Sequence, residues 1–78
     1  MNRELRASID QAVDALPPEQ REVFLMREVM DLSIAEIAQA VGASEPTVKS
    51  RMRYALEKLR DRLGAFYDQR QASAGGGA

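Results

Sequence analysis

Neither cysteine nor histidine occurs in these 78 residues. Their absence removes disulfides, thiolate and imidazole metal ligands, and the side chains most often used as nucleophile or general base near neutral pH. Acidic residues are not clustered beyond what helix starts account for. The chain is therefore not expected to be an enzyme, and no metal or cofactor is expected. A chain without cysteine fits a reducing compartment. No apolar run approaches the roughly 20 residues needed to cross a bilayer, and no basic start, apolar run and small-residue cleavage site mark a signal peptide. A soluble, cytoplasmic protein with no membrane insertion is expected. There is no strand pattern and no internal repeat. A chain of this size buries only about 60% of its unfolded surface, so its stability rests on helix packing or on a partner.

Charge is nearly balanced, with 11 Lys plus Arg against 12 Asp plus Glu, but its placement is uneven. Residues 1–43 carry four basic and eight acidic groups. Residues 44–62 carry six basic groups (Lys49, Arg51, Arg53, Lys58, Arg60, Arg62) and three acidic ones (Glu45, Glu57, Asp61). A local positive field on a near-neutral body suits a polyanion. A solvated helix face with intrahelical ion pairs has the same composition, so charge alone leaves both readings open.

Periodicity and punctuation divide the chain into four helices. Leu5, Ile9, Ala12, Val13 and Leu16 recur at helical spacing and predict a helix over 3–15. Leu16-Pro17-Pro18 stops it, because Pro17 drives Leu16 out of the helical region and Pro18 can open the next helix. That second helix, 18–30, carries Val23, Phe24, Leu25, Met26, Val29 and Met30 around nearly its whole circumference. Such a helix is central in a bundle or keeps one face for a partner. Ser33 and Glu36 have the spacing of a capping box and start a third helix, 33–41, which Gly42 closes. Ser44 caps a fourth helix, 45–68, with Glu45 and Pro46 in its first turn. Its apolar stripe is Val48, Met52, Ala55, Leu56, Leu59, Leu63 and Phe66, and Met52 and Leu56 are both expected in the core. Residues 69–78 read as a disordered tail, which leaves one domain over 1–68.

The third and fourth helices are separated by only two or three residues, which suits a helix-turn-helix. Ala38 is small where the helices cross, Gly42 follows four residues later, and Val48 returns to the core six residues after that. An ordinary helical hairpin is the competing reading. On the fourth helix, Pro46, Ser50, Arg53, Tyr54 and Glu57 lie opposite the apolar stripe, flanked by Thr47 and Lys49. The N-terminal part of a second helix of this kind enters the major groove. There Lys and Arg donate to guanine O6 and N7, and Ser reads either sense. Tyr54 is equally consistent with a half-packed aromatic.

The stretch "LPPEQREVFLMREVMDLSIAEIAQAVGASEPTVKSRMRYALEKLRDRL", residues 16–63, resembles region 4, the C-terminal promoter-recognition domain of extracytoplasmic-function (ECF) sigma factors. The similarity covers 48 of the 78 residues without a gap. It is carried by Leu16-Pro17-Pro18, Gln20-Arg21-Glu22, Arg27-Glu28-Val29, Ser33 to Ala38 and Thr47 to Arg51. The resemblance implies an all-α, small four-helix domain that holds RNA polymerase at the upstream (−35) promoter element. It implies that Lys49, Ser50, Arg53 and Tyr54 face base edges and that Arg27, Thr47 and Arg51 lie by phosphates. The implied partners are double-stranded promoter DNA, the β-subunit flap of core RNA polymerase and an anti-sigma factor, with Phe24, Leu25 and Val29 as candidate partner contacts. Complete members also carry an N-terminal domain, so the chain is expected to be part of a longer protein.

This sequence departs from the family pattern in two places. Many members carry Arg at the positions of Tyr54 and Leu56, and Val-Gly where this chain has Glu45-Pro46. Two other readings stay open on these residues. One is a sigma mimic or partner-sequestering module that keeps the fold without DNA binding. The other is the helix-turn-helix domain of another transcription regulator.

Overall fold

The computed structural model describes residues 3–74, with side chains for residues 3–64. The described residues form four helices and no strand: α1 (Arg3–Asp14), α2 (Pro18–Glu28), α3 (Ile34–Val41) and α4 (Glu45–Ala74). Helix α4 packs against each of the other three, and α2 also packs against α3.

Each boundary has a local cause. Pro17 adopts an extended conformation (φ −54°, ψ 146°), as a residue before proline must. Its carbonyl accepts the first α2 bonds from the N–H groups of Gln20 and Arg21, at 3.0 and 2.9 Å. Arg21 Nη1 donates to the Asp14 carbonyl at 3.2 Å, so a cation satisfies one of the carbonyls that α1 leaves free. Helix α2 ends at Glu28, two residues before the expected 30. The N–H groups of Val29 and Met30 both converge on the Leu25 carbonyl, and the Leu32 N–H reaches the Met26 carbonyl at 3.0 Å. Asp31 turns the chain in the left-handed region (φ 58°), which Asp tolerates better than most residues.

The capping box is complete. Ser33 Oγ accepts the Glu36 N–H at 3.1 Å, and Glu36 Oε1 accepts the Ser33 N–H at 2.8 Å. These bonds hold the Glu36 carboxyl below its ordinary value of 4.5, the Ser33 backbone contributing most and its hydroxyl next. Gly42 closes α3 in the left-handed conformation (φ 69°), where a Cβ would be strained.

The interior consists of two apolar clusters joined by α4. In one, Ala12, Val13 and Leu16 meet Ala55 and Leu59, with Ile9 and Phe24 packed alongside. In the other, Val23, Ile37 and Ala38 meet Val48, with Met26, Leu32, Val41 and Met52 among the residues around it. Helix α2 contributes to both, Phe24 to the first and Val23 and Met26 to the second. This explains its apolar residues on more than one side.

Two expectations need correction. Leu56 is not in the core but 47% exposed. At 100° per residue it lies about 70° from the mean direction of Val48, Met52, Ala55 and Leu59, on a flank left open by the other helices. Helix α4 also continues to Ala74, past the expected end at 68. The stretch Gln69 to Ala74 contains no Gly or Pro to stop it, and Ala, Arg and Gln favour helix. The rest of the expected tail, 75–78, and the side chain of Phe66 lie outside the described residues. Among the described residues no helix is long and apolar enough to cross a membrane.

Candidate nucleic-acid interface

Three features set the angle between α3 and α4. Gly42 reverses the chain, and its N–H and that of Ala43 both bond the Ala38 carbonyl. Ala38 is buried at the crossing, where a larger side chain would hold the helices apart. Val48 and Ile37 are fully buried between the helices. With Val48 turned inward, the first two turns of α4 present their other side to solvent.

Ser44 fixes the start of that surface. Its Oγ accepts the Thr47 N–H at 3.2 Å and donates its proton to Thr47 Oγ1 at 2.9 Å. Thr47 is exposed, and its hydroxyl proton is left to donate outward, as a phosphate contact requires. Lys49 and Arg53 are exposed, Ser50 and Arg51 are half-buried, and Tyr54 is 47% exposed. The Arg53 guanidinium carbon sits 5.2 Å from the centre of the Tyr54 ring, within cation–π range. The aromatic face thus favours a guanidinium held at the surface rather than one moving freely. Glu45 is exposed in the first turn, where its charge complements the helix dipole.

Six of the seven expected DNA-contacting residues (Thr47, Lys49, Ser50, Arg51, Arg53 and Tyr54) therefore share about two turns of α4. The seventh, Arg27, stands at the C-terminal end of α2, and its Nη1 donates to the Leu32 carbonyl at 2.8 Å. One of its five N–H groups braces the α2–α3 corner and the others remain available. The three expected partner residues separate: Phe24 is half-buried against the first cluster, while Leu25 and Val29 are exposed together with Met30. Two features were not foreseen from sequence. One is the brace on Arg27, for which the sequence carries no signal. The other is an open groove along the flank of α4, where Met52 and Leu56 lie among Lys49, Arg53, Glu57 and Arg60. The angular offset of Leu56 from the stripe was the available signal for the groove.

The sequence pattern described as "Sigma-70, region 4" matches residues 6–59. The chain is 35% identical over 60 residues to the ECF RNA polymerase sigma factor SigD of Mycobacterium tuberculosis, covering 77% of this chain and 28% of that protein. To the RNA polymerase sigma-E factor of Streptomyces antibioticus it is 41% identical over 58 residues, covering 74% of this chain and 32% of that protein. To the ECF RNA polymerase sigma factor SigE of Mycolicibacterium smegmatis it is 34% identical over 70 residues, covering 90% and 27%. The chain thus spans a third or less of the length of these relatives. A four-helix domain with this turn and this exposed helix face, matched over most of its length, belongs to the sigma-70 region 4 family, in the form carried by ECF sigma factors.

Proposed function

We propose that this chain binds the −35 element of promoter DNA and, as part of a sigma factor, directs bacterial RNA polymerase to start transcription there. The observation that carries the reading is the joint exposure of Lys49 and Arg53, with Ser50 between them, on the second helix of a region 4 helix-turn-helix. Laid in a major groove, Lys49, Ser50, Arg53 and Tyr54 meet base edges. Lys49 and Arg53 donate to guanine, while Ser50 and the Tyr54 hydroxyl act as donor or acceptor. Thr47, Arg51 and Arg27 meet phosphates, which fix register and supply sequence-independent affinity. Glu45, beside the groove, either accepts from a cytosine N4 amino group or serves the helix dipole alone.

The exposed apolar residues of α2, Leu25 and Val29, serve protein partners in this reading: the β-subunit flap of core polymerase, and an anti-sigma factor competing for the same surface. The whole acts in the cytoplasm, where promoter and polymerase meet. Selection of bound duplexes from a random pool at stated salt tests the proposal. It predicts one enriched motif containing guanine, with log affinity falling linearly against log salt. Enrichment of no motif would leave the domain a protein-binding module.

A further inference from the structure

Helices α2 and α4 each carry an exposed apolar surface, and the two differ in the charge around them. On α2, Leu25, Val29 and Met30 are 38%, 72% and 60% exposed, and the exposed carboxylates of Glu22, Glu28 and Asp31 accompany them. At 100° per residue Glu22, Leu25 and Val29 fall on one stripe, turned away from the buried Val23. On α4, the groove formed by Met52 and Leu56 is bordered by the cations Lys49, Arg53 and Arg60, with Glu57 the single acid. One surface is apolar with a border in which Glu22, Glu28 and Asp31 outnumber the half-buried Arg21, the other apolar with a basic border. Although α2 and α4 pack against each other, Leu25, Val29 and Met30 of the stripe and Leu56 of the groove are exposed, so both surfaces face solvent.

We infer that the occupant of the α4 groove is the α2 stripe of a second copy of this chain. Leu25 and Val29 of one copy rest on Met52 and Leu56 of the other, and Glu22 and Glu28 face Lys49, Arg53 and Arg60. The contact joins unlike surfaces, so in a pair one copy keeps a free groove and the other a free stripe, and association proceeds head to tail. Like-charge repulsion opposes the alternative symmetric pairings, groove to groove or stripe to stripe. Lys49 and Arg53 belong both to the groove and to the face proposed to read DNA, so duplex and second copy exclude each other. This last consequence rests on the proposed function; the association itself does not.

Sedimentation velocity of the chain between about 10 μM and 1 mM, at low and at high salt, tests the inference, with two blocked variants. Leu56→Glu spoils the groove and leaves the stripe; Val29→Arg spoils the stripe and leaves the groove. The wild-type chain should show mass rising with concentration, reduced by salt. Each variant alone should associate at least about tenfold more weakly, the loss expected on withdrawing one aliphatic side chain from an apolar contact. An equimolar mixture of the two should form a 1:1 pair that grows no further, because one intact stripe meets one intact groove. Circular dichroism confirms that both variants are folded. A wild-type chain monomeric throughout would overturn the inference. So would a closed dimer indifferent to both substitutions, or a variant mixture that fails to pair while both are folded. Titrating the selected duplex into the associated wild type should return it to one chain per site. If the duplex binds but the chain was never associated, the inference fails and the DNA reading stands; if copies associate and no duplex binds, the reverse holds.

Discussion

Replacing Arg53 by alanine separates base readout from general attraction to DNA. Arg53 is exposed and its one described contact is the stacking on Tyr54 at 5.2 Å, so its loss should leave folding intact, within about 0.5 kcal/mol. If the guanidinium forks onto a guanine, Arg53→Ala forfeits about 1–3 kcal/mol of discrimination at that base pair. That corresponds to roughly 5- to 150-fold in relative affinity. On duplexes lacking that guanine, only the loss of one positive charge remains. Tyr54→Ala should give a smaller effect in the same direction, about 0.5–1 kcal/mol, because it removes the platform and leaves the fork. Fluorescence anisotropy with the selected duplex and with single-base variants at the contacted pair, at one fixed salt concentration, provides the numbers. If Arg53→Ala lowers affinity for every duplex equally and preserves the preference, Arg53 is a phosphate contact and the assignment is refuted.

Arg27→Ala should weaken binding to all duplexes alike and reduce the salt slope by about 0.9; an unchanged slope would confine Arg27 to its bond with Leu32. Val48→Ala empties space at the α3–α4 crossing, where Val48 is fully buried, and should cost about 2 kcal/mol, or roughly 10 °C in Tm. A loss under about 0.5 kcal/mol would mean that this contact does not hold the turn. The Glu36 carboxyl is held below 4.5 in the folded state by the capping box, so its contribution is complete above that value and is lost as pH falls through the lower folded value. Denaturant midpoints of the wild type and Glu36→Gln should therefore differ by a constant amount above about pH 5 and converge below it. A difference that grows on acidification would contradict the capping role.

The elements read most easily from the sequence are those whose chemistry is local. Pro17-Pro18, the Ser33–Glu36 pair, Gly42 and Ser44 each act within four residues of themselves, so each boundary they set falls within about two residues of expectation. Ala38, Val48 and their intervals carried the helix-turn-helix for the same reason. The far end of α4 has no such marker. Phe24, Leu25 and Val29 could not be sorted from sequence because α2 lies between two clusters, and only the positions of α1 and α3 decide which of its sides is covered. Leu56 was misplaced because an apolar residue at the margin of a stripe is buried only if a neighbouring helix extends that far, and none does. The groove it helps to form lies among side chains of α4 alone and stays open only because the other helices leave that flank uncovered, and the bond from Arg27 to the Leu32 carbonyl depends on the turn at Asp31.

The central claim is that the first two turns of α4 read DNA. Backbone amide and arginine side-chain NMR signals, followed while the selected duplex is added, test it most directly. The account predicts large shifts at residues 47–54, with Arg53 and Lys49 side-chain signals among them, a smaller group around Arg27, and little change along α1. Shifts concentrated on α1 or on the outer face of α2, with residues 47–54 unmoved, would contradict it.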